Sequence, residues 1–170
     1  MLYGLPNIIM SELASELYKH PHLSKFLFYV EKEYENENLL KQKPISWSKL
    51  INKSFFCGRR IPIVLTNTGA YLSFRVYDYK PMNKRDMYYV TIDIDIITHK
   101  DCQYTIHGGR DACILAMVHE VLQNYLKHSI GKGDIINTYD IRDIDPEYQG
   151  YTVKIELEGF VPPITTYDKI

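Results

Sequence analysis

The chain of 170 residues is 45% hydrophobic and 24% charged, and its 20 basic groups nearly balance its 21 acidic ones, for a net charge of -1. This composition indicates a folded domain with a core, which excludes a disordered chain and gives no general attraction to nucleic acid or to an anionic membrane. No apolar run reaches the roughly 18 residues that span a bilayer, and the 3 cysteines form no C-x-x-C pair, so we expect no membrane span and reduced thiols.

A helical preface is predicted over residues 1–38. Near its start, Ile9, Leu13 and Leu17 recur every fourth residue, which is the spacing of one face of a helix. Pro21 ends this helix because it removes a backbone N–H and disfavours helix in the residue before it. A second, shorter apolar stripe and an acidic, Asn-rich connection complete the preface. The first residues lack the cationic start and the cleavage site of a signal peptide, so we expect no secretion.

The next segment, residues 39–69, is predicted to be a long extended arm of irregular structure. Its apolar residues do not recur at a regular spacing, and prolines and glycines interrupt it. Irregular stretches of this length are uncommon in a compact domain unless they have a function. We therefore expect the arm to dock on a partner protein through aromatic and basic side chains, namely Trp47, Phe55, Phe56, Arg59 and Arg60.

Residues 70–160 carry the clearest pattern and predict a ββαββ core. Apolar and polar residues alternate in segments 71–77 and 90–96, which is the period of half-buried strands and indicates a β-hairpin. Apolar residues at spacings of three and four then predict one helix of about five turns over 110–128. Two further strands follow this helix, the second with clear alternation.

The chain is therefore predicted to be a single α+β domain spanning residues 1–170. Its centre is a four-stranded, mainly antiparallel sheet with one long helix packed on it. The N-terminal helix pair and the long arm precede this core, and residues 161–170 form a short tail.

Asp93 and Asp95 are the main candidates for chemistry. Both side chains point to one face of the predicted strand, and paired carboxylates can hold Mg²⁺ for nuclease chemistry. The usual companion on the adjacent strand is an acidic residue followed two positions later by Lys, but Glu156 is followed by Glu158. We therefore expect no enzyme, no metal and no cofactor. A divalent-metal-dependent nuclease or hydrolase that uses this aspartate pair remains the alternative.

Other catalytic patterns fail on spacing. His119 and Glu120 could open a zinc-protease helix, but Gln123 stands where the second histidine is required. The glycines around Lys132 lack the spacing of a phosphate-binding loop. The sequence thus predicts no active site, and the remaining classes are proteins that assemble with others.

Charge is distributed unevenly along the chain. Residues 41–100 carry 11 basic and 4 acidic groups, a net charge of +7, whereas residues 134–170 carry 3 basic and 8 acidic groups, a net charge of -5. Regions of opposite charge on one chain favour head-to-tail assembly of identical copies.

Three segments, residues 71–76, 92–99 and 108–110, the last leading into the long helix, carry a family resemblance. Together with the helical preface, they resemble neck proteins of tailed bacteriophages, of the tail-terminator and tail-completion (head-tail connector) type. The resemblance covers roughly residues 8–128.

This resemblance implies a structural virion protein of the phage neck, made in the host cytoplasm. Such proteins form closed rings, six-fold or twelve-fold, around the DNA channel, and join the portal or connector to the tail. The implied partners are copies of the chain itself, neighbouring portal, connector or tail proteins, and passing DNA in transient contact. Polar side chains would then face a neighbouring subunit or the lumen: Arg75, Asp93, Asp95, His99 and Arg110. A small interaction module that forms no ring is a third class.

Overall fold

A computed structural model describes residues 5–58, 68–81, 87–128, 133–141 and 144–160. The helices and strands have these bounds: α1 (Leu5–Lys19), α2 (Leu23–Phe28), β1 (Phe55–Cys57), β2 (Ala70–Pro81), β3 (Met87–His99), β4 (Tyr104–Thr105), β5 (Gly108–Gly109), α3 (Arg110–His128), β6 (Gly133–Asp140) and β7 (Tyr148–Phe160). Short 3-10 turns lie at Lys32–Tyr34, Leu39–Lys41, Trp47–Lys49 and Lys100–Cys102. None of the helices within these ranges is both long enough and apolar enough to span a membrane.

The main sheet has five strands in the order β1-β2-β3-β7-β6. Each neighbouring pair is antiparallel except β1 and β2, which run parallel. The predicted α+β class is confirmed, and the four predicted strands are β2, β3, β6 and β7. The structure adds β1 at one edge and a separate two-stranded ribbon formed by β4 and β5.

One face of the sheet forms the core because its strands alternate apolar and polar residues. Phe74, Ile94 and Val153 lie beside each other on three neighbouring strands, and all three are fully buried. Side chains of α1, α2 and α3, including Leu13, belong to the same apolar cluster. Near the start of β7, Gly150 allows close approach of β3, since a Cβ there would overlap a backbone carbonyl.

Residues 39–58 of the predicted arm pack on the domain. Phe55 is only 1% exposed, and its ring lies 5.0 Å from that of Trp47 and 5.4 Å from those of Tyr18 and Phe74. Trp47 is half-buried and donates a hydrogen bond from Nε1 to the carbonyl of Tyr18 at 3.1 Å. Phe56 is 4% exposed and packs on the opposite face of the sheet.

The expectation that Phe55 and Phe56 contact a partner is therefore wrong. These residues form strand β1 at the edge of the sheet, and the domain itself buries both rings. The predicted docking residues Arg59 and Arg60 lie outside the described residues, and a docking role for Trp47 stays a prediction.

Candidate functional site

The face of the sheet that points away from the three helices carries most of the singled-out polar residues. We call it the open face and define it by these residues of β2, β3 and β7: Ser73, Arg75, Asp93, Asp95, Thr152 and Lys154. They alternate with the core residues of the same strands, so strand geometry places them all on one side. The open face is therefore the first candidate site.

Asp93 is the centre of an ion-pair cluster on the open face. It is 3% exposed, and it lies between Arg75 on β2 and Lys154 on β7, which are its direct neighbours in the sheet register. Arg75 Nη2 donates to Asp93 Oδ2 at 3.0 Å, and Lys154 Nζ lies 2.7 Å from Oδ1 as an ion pair. Lys154 Nζ also lies 3.6 Å from the ring centre of Tyr77, a cation–π contact on the solvent side. Two cations thus hold one buried carboxylate.

This arrangement does not suit a metal centre built on the aspartate pair. Both oxygens of Asp93 already face cations, and Asp95 Oδ1 accepts a hydrogen bond from Thr152 Oγ1 at 2.7 Å. A divalent ion would have to displace Arg75 and Lys154, whose positive charges repel it. Within the described ranges, no group of three or more His, Cys, Asp or Glu residues is placed to hold a metal ion. The geometry therefore adds no support for the nuclease alternative.

Arg110 has a structural position and does not face solvent. Its side chain is 1% exposed, with Nε donating to the carbonyl of Cys102 at 2.6 Å and Nη1 to the carbonyl of Phe26 at 2.8 Å. It thus connects the start of α3 to α2 and to the turn after β3. The expectation that Arg110 and Asp93 face a neighbouring subunit or the lumen is wrong, because the folded chain buries both.

His99 closes the end of β3. Its Nδ1 accepts a hydrogen bond from the backbone N–H of Asp101 at 3.1 Å, and its ring lies 4.9 Å from that of Tyr148. Glu147 approaches its Nε2 at 4.0 Å. These contacts cap the 3-10 turn after the strand. Arg75, Asp95 and His99 remain partly exposed, so an inter-subunit or lumen role for them stays a prediction.

A buried polar network was not predicted from the sequence. Thr98 donates to Gln103, whose amide donates to Asp111, and Gln149 Nε2 donates to the second carboxylate oxygen of Asp111 at 3.0 Å. Asp111 also accepts from the backbone N–H of Ala112 at 2.7 Å. An acidic residue in the first turn of a helix was the only signal available. The network fixes the start of α3 against the end of β3 and the start of β7.

Both edges of the main sheet have unpaired length within the part of the chain that the structure describes. Among the described residues, β6 pairs only with β7, and β2 pairs only with β3 from Arg75 to Pro81, since β1 ends opposite Phe74. Ile136 and Tyr139 on β6 are 49% and 42% exposed. Exposed sheet edges offer backbone donors and acceptors to another strand. These edges are the second candidate site.

The apolar end of the open face predicts a pH effect. There Phe56, Tyr71, Ile97 and Tyr148 form a small buried cluster, and burial raises the pKa of Tyr71 to about 12. In the unfolded chain, the Tyr71 hydroxyl loses its proton near pH 10. Between pH 10 and pH 12 the unfolded chain therefore binds fewer protons than the folded chain, and the free energy of unfolding falls as pH rises. Tyr71→Phe should make urea unfolding less pH-dependent between pH 10 and pH 12. Tyr104→Phe, at a 71% exposed position, is the control and should leave the dependence unchanged.

Comparison with known proteins gives the affiliation of the chain. No curated protein sequence is significantly similar to it. The family model YomW matches residues 20–157, a range that includes α2, α3, strands β1 to β6 and most of β7. The expected phage origin is thereby confirmed at the level of the family: the chain belongs to the YomW family, which is phage-derived (Bacillus SPbeta-like).

Proposed function

We propose that the protein is a structural component of the phage neck. In this proposal, copies of the chain form a ring around the DNA channel that joins the portal or connector to the tail, as a tail terminator or tail-completion protein. The phage-derived family and the resemblance of the hairpin segments to neck proteins support this function. The observation that carries it is that, among the described residues, the sheet has unpaired length at both of its edges.

Two different free edges suit a ring better than a monomer. An exposed edge is an aggregation hazard that natural proteins cover, shorten or pair with a defined partner. When two unlike edges of identical copies pair with each other, the contact is head-to-tail, and it closes into a ring if the rotation per copy divides a full turn. Residues 41–100 carry a net charge of +7 and residues 134–170 a net charge of -5. These charges disfavour contact between two β6 edges or two β2 edges, and they favour contact between a β2 edge and a β6 edge.

The charge pattern also fits transient contact with DNA. Arg75 and Lys154 are 20% and 19% exposed at the side chain, and Asp93 and Asp95 balance their charges, so the residues that define the open face carry no net charge. A face without net charge does not hold phosphates, whereas a dense basic surface would bind them tightly and retard DNA passage. The partly exposed Arg75 and Lys154 on the open face are therefore our candidates for side chains that face the lumen.

Native mass spectrometry of the purified full chain tests this function. Over a range of concentrations, alone and mixed with purified portal and tail assemblies of the same phage, we expect one discrete mass at six or twelve times the 20.0 kDa chain. The mass should not change with a chelator. A monomer in every mixture would overturn the proposal, because a ring component must assemble at least on its neighbour.

One further outcome would favour the enzyme alternative. That outcome is a monomer that binds divalent metal in fixed stoichiometry and cuts DNA, with both properties lost in the Asp93→Ala, Asp95→Ala double variant. We expect the unmodified protein to show neither property.

A further inference from the structure

We infer that the ring interface is an antiparallel strand pair between β6 of one copy and residues 75–81 of β2 of the next copy, which pair with no other described strand on that side; we call them the free edge of β2. The sheet would then continue from subunit to subunit around the ring. This inference rests on the proposed ring and specifies which surfaces form it.

The strand directions permit this pairing without inverting a subunit. Three antiparallel steps separate β2 from β6, through β3 and β7, so β6 runs opposite to β2 within one chain. A second copy related by rotation about an axis nearly parallel to the strands keeps its strand directions. Its β2 therefore meets β6 of the first copy in antiparallel orientation, so strand directions continue to alternate across the contact.

The two edges also match in length and in irregularity. The free part of β2 has 7 residues, Arg75–Pro81, and β6 has 8. Each strand carries one register shift, between Val76 and Asp78 on β2 and between Ile135 and Asn137 on β6. The intervening residues, Tyr77 and Ile136, are 59% and 49% exposed. Two edges with bulges in the same stretch can pair on both sides of it, since each strand contributes one extra residue there and the register is the same before and after.

One register places the open-face residues of each strand opposite open-face residues of the other. It places Asp134 of one copy opposite Lys80 of the next, and Tyr139 opposite Arg75. All four side chains lie on the open face, because their partners within the chain are Glu156, Tyr89, Thr152 and Asp93. The register thus forms an ion pair at one end and a cation–π contact at the other.

On the core side, the same register places Ile135 opposite Tyr79 and Thr138 opposite Val76. Ile135, Tyr79 and Val76 are half-buried and pack against the core of their own chain. Their pairing would extend the apolar face across the contact, so both faces of the joined strands would be chemically matched.

Pairing of β6 with a second β6 is less favourable. β6 carries Asp134 near its start, Asp140 at its end and no basic residue. A two-fold antiparallel pair of these strands would bring the acidic ends together twice, and like charges opposite each other destabilise a strand pair. The free edge of β2 carries Arg75 and Lys80 against one acidic residue, so it is the complementary partner.

Cysteine cross-linking of the full chain tests the register. The variant Asp134→Cys, Lys80→Cys is prepared in a Cys57→Ser background, because Cys57 is an exposed free thiol. Both replaced residues are exposed. Within one chain they lie three strand spacings apart, about 14 Å, which is beyond the reach of a disulfide. After mild oxidation with diamide, we expect a non-reducing gel to show a ladder of covalent oligomers that ends at the ring size.

Matched variants separate the possible outcomes. Asp134→Cys combined with Lys100→Cys places the second thiol at an exposed lysine away from both edges, and it should give no ladder. Covalent dimers from Asn137→Cys alone, at the centre of an antiparallel β6–β6 pair, would overturn the inference in favour of β6 pairing with β6. A ring by native mass with no ladder from the main pair would overturn the interface and leave the proposed function standing. Absence of any ring would overturn both.

Charge exchange provides a second test that introduces no thiol. Asp134→Lys should raise the concentration needed for half-assembly severalfold, since it places two lysines opposite each other. Adding Lys80→Asp should return that concentration toward the original value. Failure of the double exchange to restore assembly, with both variants folded by circular dichroism, would contradict this register.

Discussion

Replacing Arg110 with alanine should lower the free energy of unfolding by about 3 kcal/mol or more. The side chain is 1% exposed, and its guanidinium donates to the carbonyls of Cys102 and Phe26. The substitution leaves both carbonyls buried without these donors and creates a cavity between α2, α3 and the turn after β3. Urea unfolding followed by circular dichroism measures the change, and the thermal midpoint should fall by about 6–12 °C for a chain of this size.

Two further variants identify the cause of this loss. Arg110→Met fills most of the space without donors, so the deficit that remains reports the missing hydrogen bonds. Lys100→Ala removes a basic residue that is 56% exposed and paired with Glu147, and it should cost less than about 1 kcal/mol. If Arg110→Ala proved as mild as Lys100→Ala, Arg110 would not connect α2 to α3 as described.

Replacing Phe55 with alanine should cost about 3–5 kcal/mol of unfolding free energy. Its ring is 1% exposed and contacts Tyr18, Trp47 and Phe74, which belong to α1, to a 3-10 turn and to β2. Removal of the ring leaves a cavity where these three elements meet. Chemical denaturation of both proteins at one temperature measures the difference.

Ile51→Ala is the matched control for Phe55→Ala. Ile51 lies four residues earlier in the same segment and is 41% exposed, so its truncation should change stability by less than about 0.5 kcal/mol. If Phe55→Ala kept full stability but lost binding to a neighbouring ring, the docking role first expected for this residue would be restored. The burial of the ring argues for the opposite result.

The same contacts decide what deletion of part of the predicted arm would do. Removal of residues 41–60 would take away Leu50 and Phe55, which are both 1% exposed core residues, together with edge strand β1. Such a deletion would destabilise the whole domain. Single substitutions are therefore the appropriate test of this segment, and the deletion cannot separate docking from folding.

The sequence by itself determined the elements that depend on local periodicity. Strands β2, β3 and β7 follow from alternation of apolar and polar residues, and α3 follows from apolar residues at spacings of three and four. A strand or helix that buries one face must carry apolar residues at the period of that element, whatever it packs against. The α+β class follows because the elements must cover each other's apolar faces.

Only the tertiary structure decided the partners of the singled-out side chains. Asp93 is read from the sequence as half of a carboxylate pair, yet it meets Arg75, 18 residues before it, and Lys154, 61 residues after it. Arg110 reaches the carbonyl of Phe26 across 84 residues. No local pattern encodes these contacts, because the sheet register and the packing of α2 on α3 bring the residues together.

The position of β1 and the free edges were decided in the same way. Three residues are too short for an alternation signal, and Phe55–Cys57 become a strand only because β2 offers a parallel edge. The unpaired length of β2 and β6 then depends on where β1 ends and on which strand lies last in the sheet. Local periodicity thus fixes which faces are apolar, whereas the strand order, which long-range pairing sets, decides which edges remain free for another copy.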